Sequence, residues 1–430
     1  MADTGTADLP RVAVVIPNYN GAGFLSACLD SVAAQDYPRD RVETIVVDNG
    51  STDATFDVLA RYPWARVVRN DENLGFAAAV NAGAQASDAE CLALANNDMR
   101  LDPAWVRQLV AAYAPAEGFL CVAGVILDSS GERVDFAGGY VTFHGMAGQL
   151  GFGQPLEEVS IVDGRELLFA CGGSMLVDRS LFLELGGFDP AYFAYFEDVD
   201  FGWRLWLTGH RVRLAARARS FHHHHGTAGV FAKAQRAVLY DRNALLMLVK
   251  NLGEANLYPI LAAALVLTSE RALADSGTDP RAYELGGSAP PERETVPANA
   301  VARLHAISQF VERLDDAMAA RARIQAIRQR SDEEIFALFR RPFWPLYREE
   351  RYLETSERIV RAFGIRGRFS ALEPAATEDL RALELVRRAR RDAPPPARAR
   401  TAHLLWARIP EPARARLRPV LRKLRGPAGG

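Results

Sequence analysis

Three carboxylates within four residues, Glu197, Asp198 and Asp200, are the side chains of this sequence best placed to do chemistry. They stand between Phe193, Tyr195 and Phe196 on one side and Trp203, Leu205, Trp206 and Leu207 on the other. Crowded acids beside apolar rings repel one another and lose solvation, which makes at least one of them a poised proton acceptor. The same trio also reads as a helix N-terminus, where acids complement the dipole and Asp200 pairs with Arg204 one turn on. Upstream, Gly172-Gly173-Ser174 reads as a close-approach loop or as a simple turn. Gly186-Gly187 ends a helix over Arg179 to Leu185, and Phe188 anchors the loop that follows.

The elements that must position these acids are legible further upstream. Val12 to Ile16 predicts a buried strand ended by Pro17 and the turn Asn18-Tyr19-Asn20-Gly21. Val42 to Val47 predicts a second strand running into the polar loop Asp48 to Asp53. Helices are expected at Gly23 to Gln35, Asp53 to Arg61 and Gly75 to Ala84, with strands at Ala65 to Arg69 and Cys91 to Ala95. Alternating strands and helices imply an α/β fold with a mostly parallel sheet, whose ligands sit beyond the carboxyl ends of the strands. Asp48 and Asp98 both fall at such ends.

Six motifs occur in order between Arg11 and Lys250: VVIPNYN, VVDNGSTD, ENLGFAAAVNAGA, NNDMRLDP, GGFDPAYFAYFEDVDFGWRL and HHHHGT. With them the chain resembles the family 2 glycosyltransferases of GT-A fold, rhamnosyl- and galactofuranosyltransferases among them. The resemblance implies a nucleotide-sugar-binding domain, a nucleotide-diphosphate sugar donor (dTDP- or UDP-sugar) and a glycan, lipid-linked or small-molecule acceptor. It assigns Pro17 and Tyr19 to the flanks of the base, Asp48 to the base or ribose, Asn97 to the ribose, and adds Asn73 and Asp98 to the donor site. Charge growing on the leaving diphosphate needs a cation or positive dipoles. The resemblance therefore implies a divalent cation, Mg²⁺ or Mn²⁺, with Asp98 as a hard oxygen ligand. The family's DxD-type motif reads Asn96-Asn97-Asp98 here, so a single acid would hold the ion weakly until the diphosphate adds its own oxygens.

His222 to His225 would by themselves be a weak metal-binding or basic stretch. In the family a histidine before Gly and a small hydroxyl residue completes the metal site. Alternation along a strand puts His223 and His225 on one face, and His223 is the expected ligand with His225 next. The constellation then implies single displacement with inversion: Asp198 takes the acceptor's proton, Glu197 orients the acceptor or tunes the base, and Gly172 and Gly173 approach the sugar or acceptor. A retaining hydrolase also tolerates crowded acids but has no need of the nucleotide-type front half. An inactive nucleotide-sugar-binding or scaffold protein of the same fold is the alternative, suggested by the reduced Asn97-Asp98 motif. A nicotinamide-dependent oxidoreductase finds no GxGxxG after the first strand.

At 430 residues, 49% apolar and net charge −2, the chain can bury a large core. The expected divisions are a catalytic domain over 1–250, helix and linker over 251–299, an α-helical domain over 300–396 and a basic amphipathic tail over 397–430. Helices are expected at Ala300 to Arg330, Asp332 to Phe339, Arg348 to Phe363 and Glu378 to Arg391, and this extension could cap the acceptor side, form a homo-oligomer or dock a partner. Leu257 to Thr268 is too short a run to span a membrane, and no signal peptide is visible. Cys28, Cys91, Cys121 and Cys171 lack metal spacing and read as reduced thiols of a cytoplasmic protein. The tail interleaves arginines with Leu404, Leu405, Trp406 and Ile409, which suits contact with the inner face of an anionic membrane, a solvated tail or docking on an acidic surface. Nothing in the sequence offers a nucleic-acid-binding platform.

Overall fold

The computed structural model describes residues 9–223, 231–279, 283 and 295–369. By its contacts the chain divides into Met1–Thr377 and Glu378–Gly430, and every described residue lies in the first unit. The basic tail, the expected helix Glu378 to Arg391, most of the linker, and His224 and His225 lie outside the described residues.

The first half is an alternation of strands and helices. It runs β1 (Val12–Asn18), α1 (Ala22–Ala33), β2 (Val42–Asn49), α2 (Thr55–Leu59), β3 (Arg66–Asn70), α3 (Phe76–Ala86) and β4 (Cys91–Ala95). β-Branched and aliphatic runs make β1, β2 and β4 almost wholly buried, as strands covered on both faces must be. β1 pairs in parallel with both β2 and β4, and β2 with β3, so Asn18 lies opposite Asp48 and the polar ends of three strands share one edge.

The second part of the sheet is mixed. After β5 (Met99–Leu101) and α4 (Trp105–Ala112) come β6 (Phe119–Asp128), β7 (Val134–Phe136), the hairpin β8 (Gly139–Val141) and β9 (Ala147–Gln149), then β10 (Glu166–Leu167) and β11 (Ser174–Asp178). α5 (Arg179–Glu184), α6 (Glu197–Leu207) and β12 (Arg211–His222) complete it. The spatial order is β10-β12-β6-β11-β4-β1-β2-β3, with β11 antiparallel to both β4 and β6 and β5 antiparallel to β12. The parallel core read from the sequence is thus β4-β1-β2-β3, and the single antiparallel β11 joins it to the acid-bearing segment.

Helices follow: α7 (Lys233–Asn251), α8 (Glu254–Ser276), α9 (Ala298–Glu312), α10 (Leu314–Ala326), α11 (Asp332–Phe336), α12 (Glu350–Ala362) and α13 (Ile365–Arg368). The long helix expected over Ala300 to Arg330 is broken in two at Arg313. These helices bind back onto the sheet: Val141 and Phe143 donate their amides to the carbonyls of Phe339 and Pro342, and Arg330 reaches the carbonyls of Trp206, Gly209 and His210. The apolar run at Leu257 to Thr268 is part of the longer α8, the one described helix long and apolar enough to cross a membrane by length and composition. Its Leu257, Ile260, Ala264 and Leu267 are buried, as in a core helix.

Candidate active site

Pro17 and Tyr19 at the end of β1, Asn73 before α3 and Asn97 after β4 line one cleft of about 150 Å³, closed on its other side by Phe193, Ala194 and Phe231. Asn97 donates to Asn18 Oδ1 at 2.7 Å, and Asn18 in turn reaches Thr55 Oγ1 at 3.2 Å, so the cleft wall is a linked amide network. Asn49 bridges β2 to the opposite rim, donating to Asn73 Oδ1 at 2.9 Å and to the Gly75 carbonyl at 3.1 Å. Gly75 is required there: its φ is +88°, and a Cβ would stand 2.5 Å from the Phe193 carbonyl oxygen.

Asp48 and Asp98 are each 1% exposed and are absent from the lining of this cleft. One oxygen of Asp48 accepts from the Ser51 amide at 3.3 Å, while Oδ1 is buried with no hydrogen-bond partner among the described residues. A buried acceptor left open is a standing cost that a ligand donor would relieve.

The expected acid trio separates into three environments. Asp200, fully buried, bonds Arg204 Nε at 2.9 Å, Lys250 Nζ at 3.0 Å, Asn251 Nδ2 at 2.9 Å and the Tyr192 hydroxyl at 3.0 Å. Burial alone would raise its pKa, but Lys250 and Arg204 prevail and bring it down to about 2. The helix-stabilising pairing with Arg204 is therefore real, and it accounts for Asp200 alone. Glu197 is buried, its Oε2 has no partner among the described residues, and burial followed by the charge of Asp198 holds its pKa well above the ordinary glutamate range. Asp198 is half-buried. Its Oδ2 accepts from the Gly172 amide at 3.0 Å and its Oδ1 from the Val199 amide at 2.8 Å. Burial raises its pKa while these amides favour the carboxylate. Burial and the neighbouring charge thus act against an ionised Glu197, while the two amides favour the ionised form of Asp198.

Gly172 and Gly173 pack closely on neighbouring side chains, Phe76 for the one and Met99 and Asn96 for the other. A Cβ on Gly173 would lie 2.9 Å from Met99 Cε and 3.1 Å from Asn96 Nδ2, which ties the loop holding Asp198 to the strand end bearing Asp98. The backbone just before Asp198 is strained: Phe193, Tyr195 and Phe196 all have positive φ, 65°, 69° and 74°. Each such non-glycine residue costs on the order of 1–3 kcal/mol.

At the other end of the site His222, not His223, presents its ring to Asp98, with Nε2 3.3 Å from Oδ2 and Nδ1 2.6 Å from Asp135 Oδ2. Burial disfavours the imidazolium, but the two carboxylates outweigh it and raise His222 to about 9. His223 gives its amide to the Asp98 carbonyl at 3.2 Å and turns its ring towards Phe24. Pairing of β5 with β12 brings His222 opposite Met99, one residue past Asp98. No group of three metal-type side chains converges on one point among the described residues. With Nδ1 held by Asp135, Asp98 and His222 would fit a divalent cation that takes the place of the Nε2 proton and draws its remaining ligands from a diphosphate.

Residues 13–186 match the family described as Glycosyl transferase family 2. The N-acetylglucosaminyl-diphospho-decaprenol L-rhamnosyltransferase of Mycobacterium tuberculosis is 32% identical over 240 residues, covering 50% of this chain and 76% of that protein. The chain belongs to glycosyl transferase family 2. The O-antigen biosynthesis protein RfbC of Myxococcus xanthus is 32% identical over 225 residues, 50% of this family 2 chain but only 17% of RfbC. Among solved structures, the mannosyltransferase PcManGT from Pyrobaculum calidifontis, in complex with GDP-Man and Mn²⁺, aligns with TM-score 0.41 and 20% identity over 75% of this chain and 87% of that one. The α/β sheet with helical extension expected from the sequence is the fold of this family 2 chain.

Asp135, Asn243 and Lys250 were not singled out from the sequence, and His222 only as a member of the run His222 to His225. Lys250, a lone cation closing the apolar run Leu245 to Val249, carried a signal of burial against an acid. Asp135, inside the short β7, carried none.

Proposed function

We propose that this chain transfers a sugar from a dTDP- or UDP-sugar to a hydroxyl of a glycan or lipid-linked acceptor by a single displacement with inversion. The observation that carries the reading is Asp198: a half-buried carboxylate held by two backbone amides, beside a buried Glu197 and joined through Gly172 and Gly173 to the strand end of Asn96 and Asp98. Asp198 takes the acceptor hydroxyl's proton as that oxygen bonds to the anomeric carbon and the carbon–diphosphate bond breaks. Glu197, carrying a proton, spares the site a second negative charge. Pro17 and Tyr19 hold the base, Asn73 and Asn97 the ribose side, and the open Oδ1 of Asp48 accepts from a donor on the base. Asp98 and His222 are the residues that would hold Mg²⁺ or Mn²⁺, with His223 adjoining, and such an ion neutralises charge on the departing diphosphate. The names of the relatives, an O-antigen biosynthesis protein and a rhamnosyltransferase acting on a decaprenol-linked sugar, support a polysaccharide precursor on a lipid carrier as acceptor.

The test is nucleoside-diphosphate release from a panel of UDP- and dTDP-hexoses with a polyprenyl-diphosphate sugar as acceptor. Asp198→Asn is expected to lower kcat by about 100-fold or more while the donor Kd stays within about threefold. Turnover at the wild-type rate would remove Asp198 as the base.

A further inference from the structure

The loop before α6 places three carbonyls, those of Tyr192, Ala194 and Tyr195, around one point, and the side-chain amide of Asn243 from α7 fills it. Asn243 Nδ2 lies 3.1, 3.0 and 2.7 Å from these oxygens. Its Oδ1 accepts from Arg242 Nε at 2.9 Å, and Arg242 Nη2 donates to the carbonyls of Ala191 at 3.2 Å and Tyr192 at 2.9 Å. Both side chains are buried. The orientation of the Asn243 amide is chemically forced, because an oxygen facing three carbonyls would be repelled by all of them.

What the clamp holds is the strained part of the site. Phe193, at φ 65° and ψ −62°, centres a turn closed by the Ala194 amide on the Tyr192 carbonyl at 2.8 Å, the rare and strained form of γ-turn. Tyr195 and Phe196 follow with positive φ, and Phe196 is the residue from which α6 starts. Where α6 starts decides whether Asp198, two residues on, meets the Gly172 amide. Converging carbonyls and left-handed side-chain-bearing residues are both unfavourable, and they persist together only where neighbouring structure over-determines them. The rings of Tyr195 and Tyr240, centroids 4.8 Å apart, bind the same turn to the same helix.

We propose that Asn243, oriented by Arg242, is a positioning residue for the proton-accepting carboxylate: it holds the Tyr192–Phe196 backbone in a strained course that delivers Asp198 to the Gly172 amide. The proposal rests on Asp198 being the base for its kinetic consequence, but not for its structural one. Asn243→Asp keeps the shape and replaces the donor with an oxygen facing three carbonyls.

In the full chain without ligand, hydrogen exchange of the Gly172 amide and of residues 194–199 is expected to quicken by about tenfold, the equivalent of one lost hydrogen bond, with β1, β2 and β4 unchanged. With whichever nucleotide hexose the wild type turns over, kcat is expected to fall by about 100-fold with donor KM within about threefold, the mark of a misplaced catalytic group. Unchanged exchange at Gly172 overturns the proposal. Quickened exchange with full kcat overturns the link to catalysis, and full activity of Asp198→Asn would instead overturn the assignment of the base and leave the clamp standing. Should Asn243→Asp exchange throughout the sheet, Asn243→Ala is compared with and without Tyr195→Gly, a residue that adopts φ 69° freely. Relief of strain is expected to restore protection at Gly172, and losses that simply add overturn the proposal.

Discussion

Replacing Asp200 with asparagine separates a structural charge from a catalytic one and predicts how large the difference is at each pH. In the native protein Asp200 is 0% exposed and faces Arg204 and Lys250, themselves nearly buried. Its pKa falls from 3.8 to about 2. A carboxylate with a depressed native pKa stabilises the fold above its unfolded value, here near 4, and that stabilisation is lost as pH falls towards 2. The shift corresponds to about 2 kcal/mol. The substituted amide imitates the protonated state at every pH, but it also turns an amide hydrogen towards a cation, and breaking a buried pair costs about 3–5 kcal/mol. Urea unfolding of the wild type and Asp200→Asn should therefore differ by about 2–5 kcal/mol at pH 7, and by about 2 kcal/mol less near pH 2. The difference between the two proteins is the quantity to follow, since other carboxylates titrate equally in both. A gap that stays flat from about pH 7 to about pH 2 would show that Lys250 and Arg204 do not hold Asp200 ionised, and the structural reading of this acid would fail.

Asp198 predicts the pH dependence of turnover. Burial raises its pKa, and activity that needs the carboxylate is lost as pH falls through that raised value, so the acid limb of kcat/KM should lie above the ordinary aspartate range near 4; a limb at or below it would point to an exposed base. For the cation, chelator should stop transfer, and Asp98→Asn should weaken Mn²⁺-dependent binding of UDP, read by calorimetry, by about tenfold or more. Equal UDP affinity with and without Mn²⁺ in the wild type would assign stabilisation of the leaving group to protein donors alone.

The parts of this molecule that were legible in its sequence are those with short-range causes. Aliphatic runs broken by Pro17 and by polar loops located β1, β2 and β4 closely, because a strand buried on both faces has no other way to be written. The acids were found for the same reason, since three carboxylates beside aromatic residues are conspicuous at short range. Their division of labour was not legible: it depends on Lys250 and Asn251, about fifty residues later, reaching Asp200 and leaving Asp198 to the glycine loop. The histidine run shows the limit from the other side. Alternation put His222 and His223 on opposite faces, and which of them turns its ring to Asp98 is set by the register of β12 on β5, Phe221 to Arg100 and His222 to Met99, and by Asp135 arriving from β7. A slip of one residue would exchange His222 for His223, and no feature of four identical side chains encodes that choice. The same holds for Asn243. An asparagine beside Asp241 and Arg242 in a mixed helix is a weak signal alone, and it becomes a functional one only because three carbonyls about fifty residues upstream converge where its amide points.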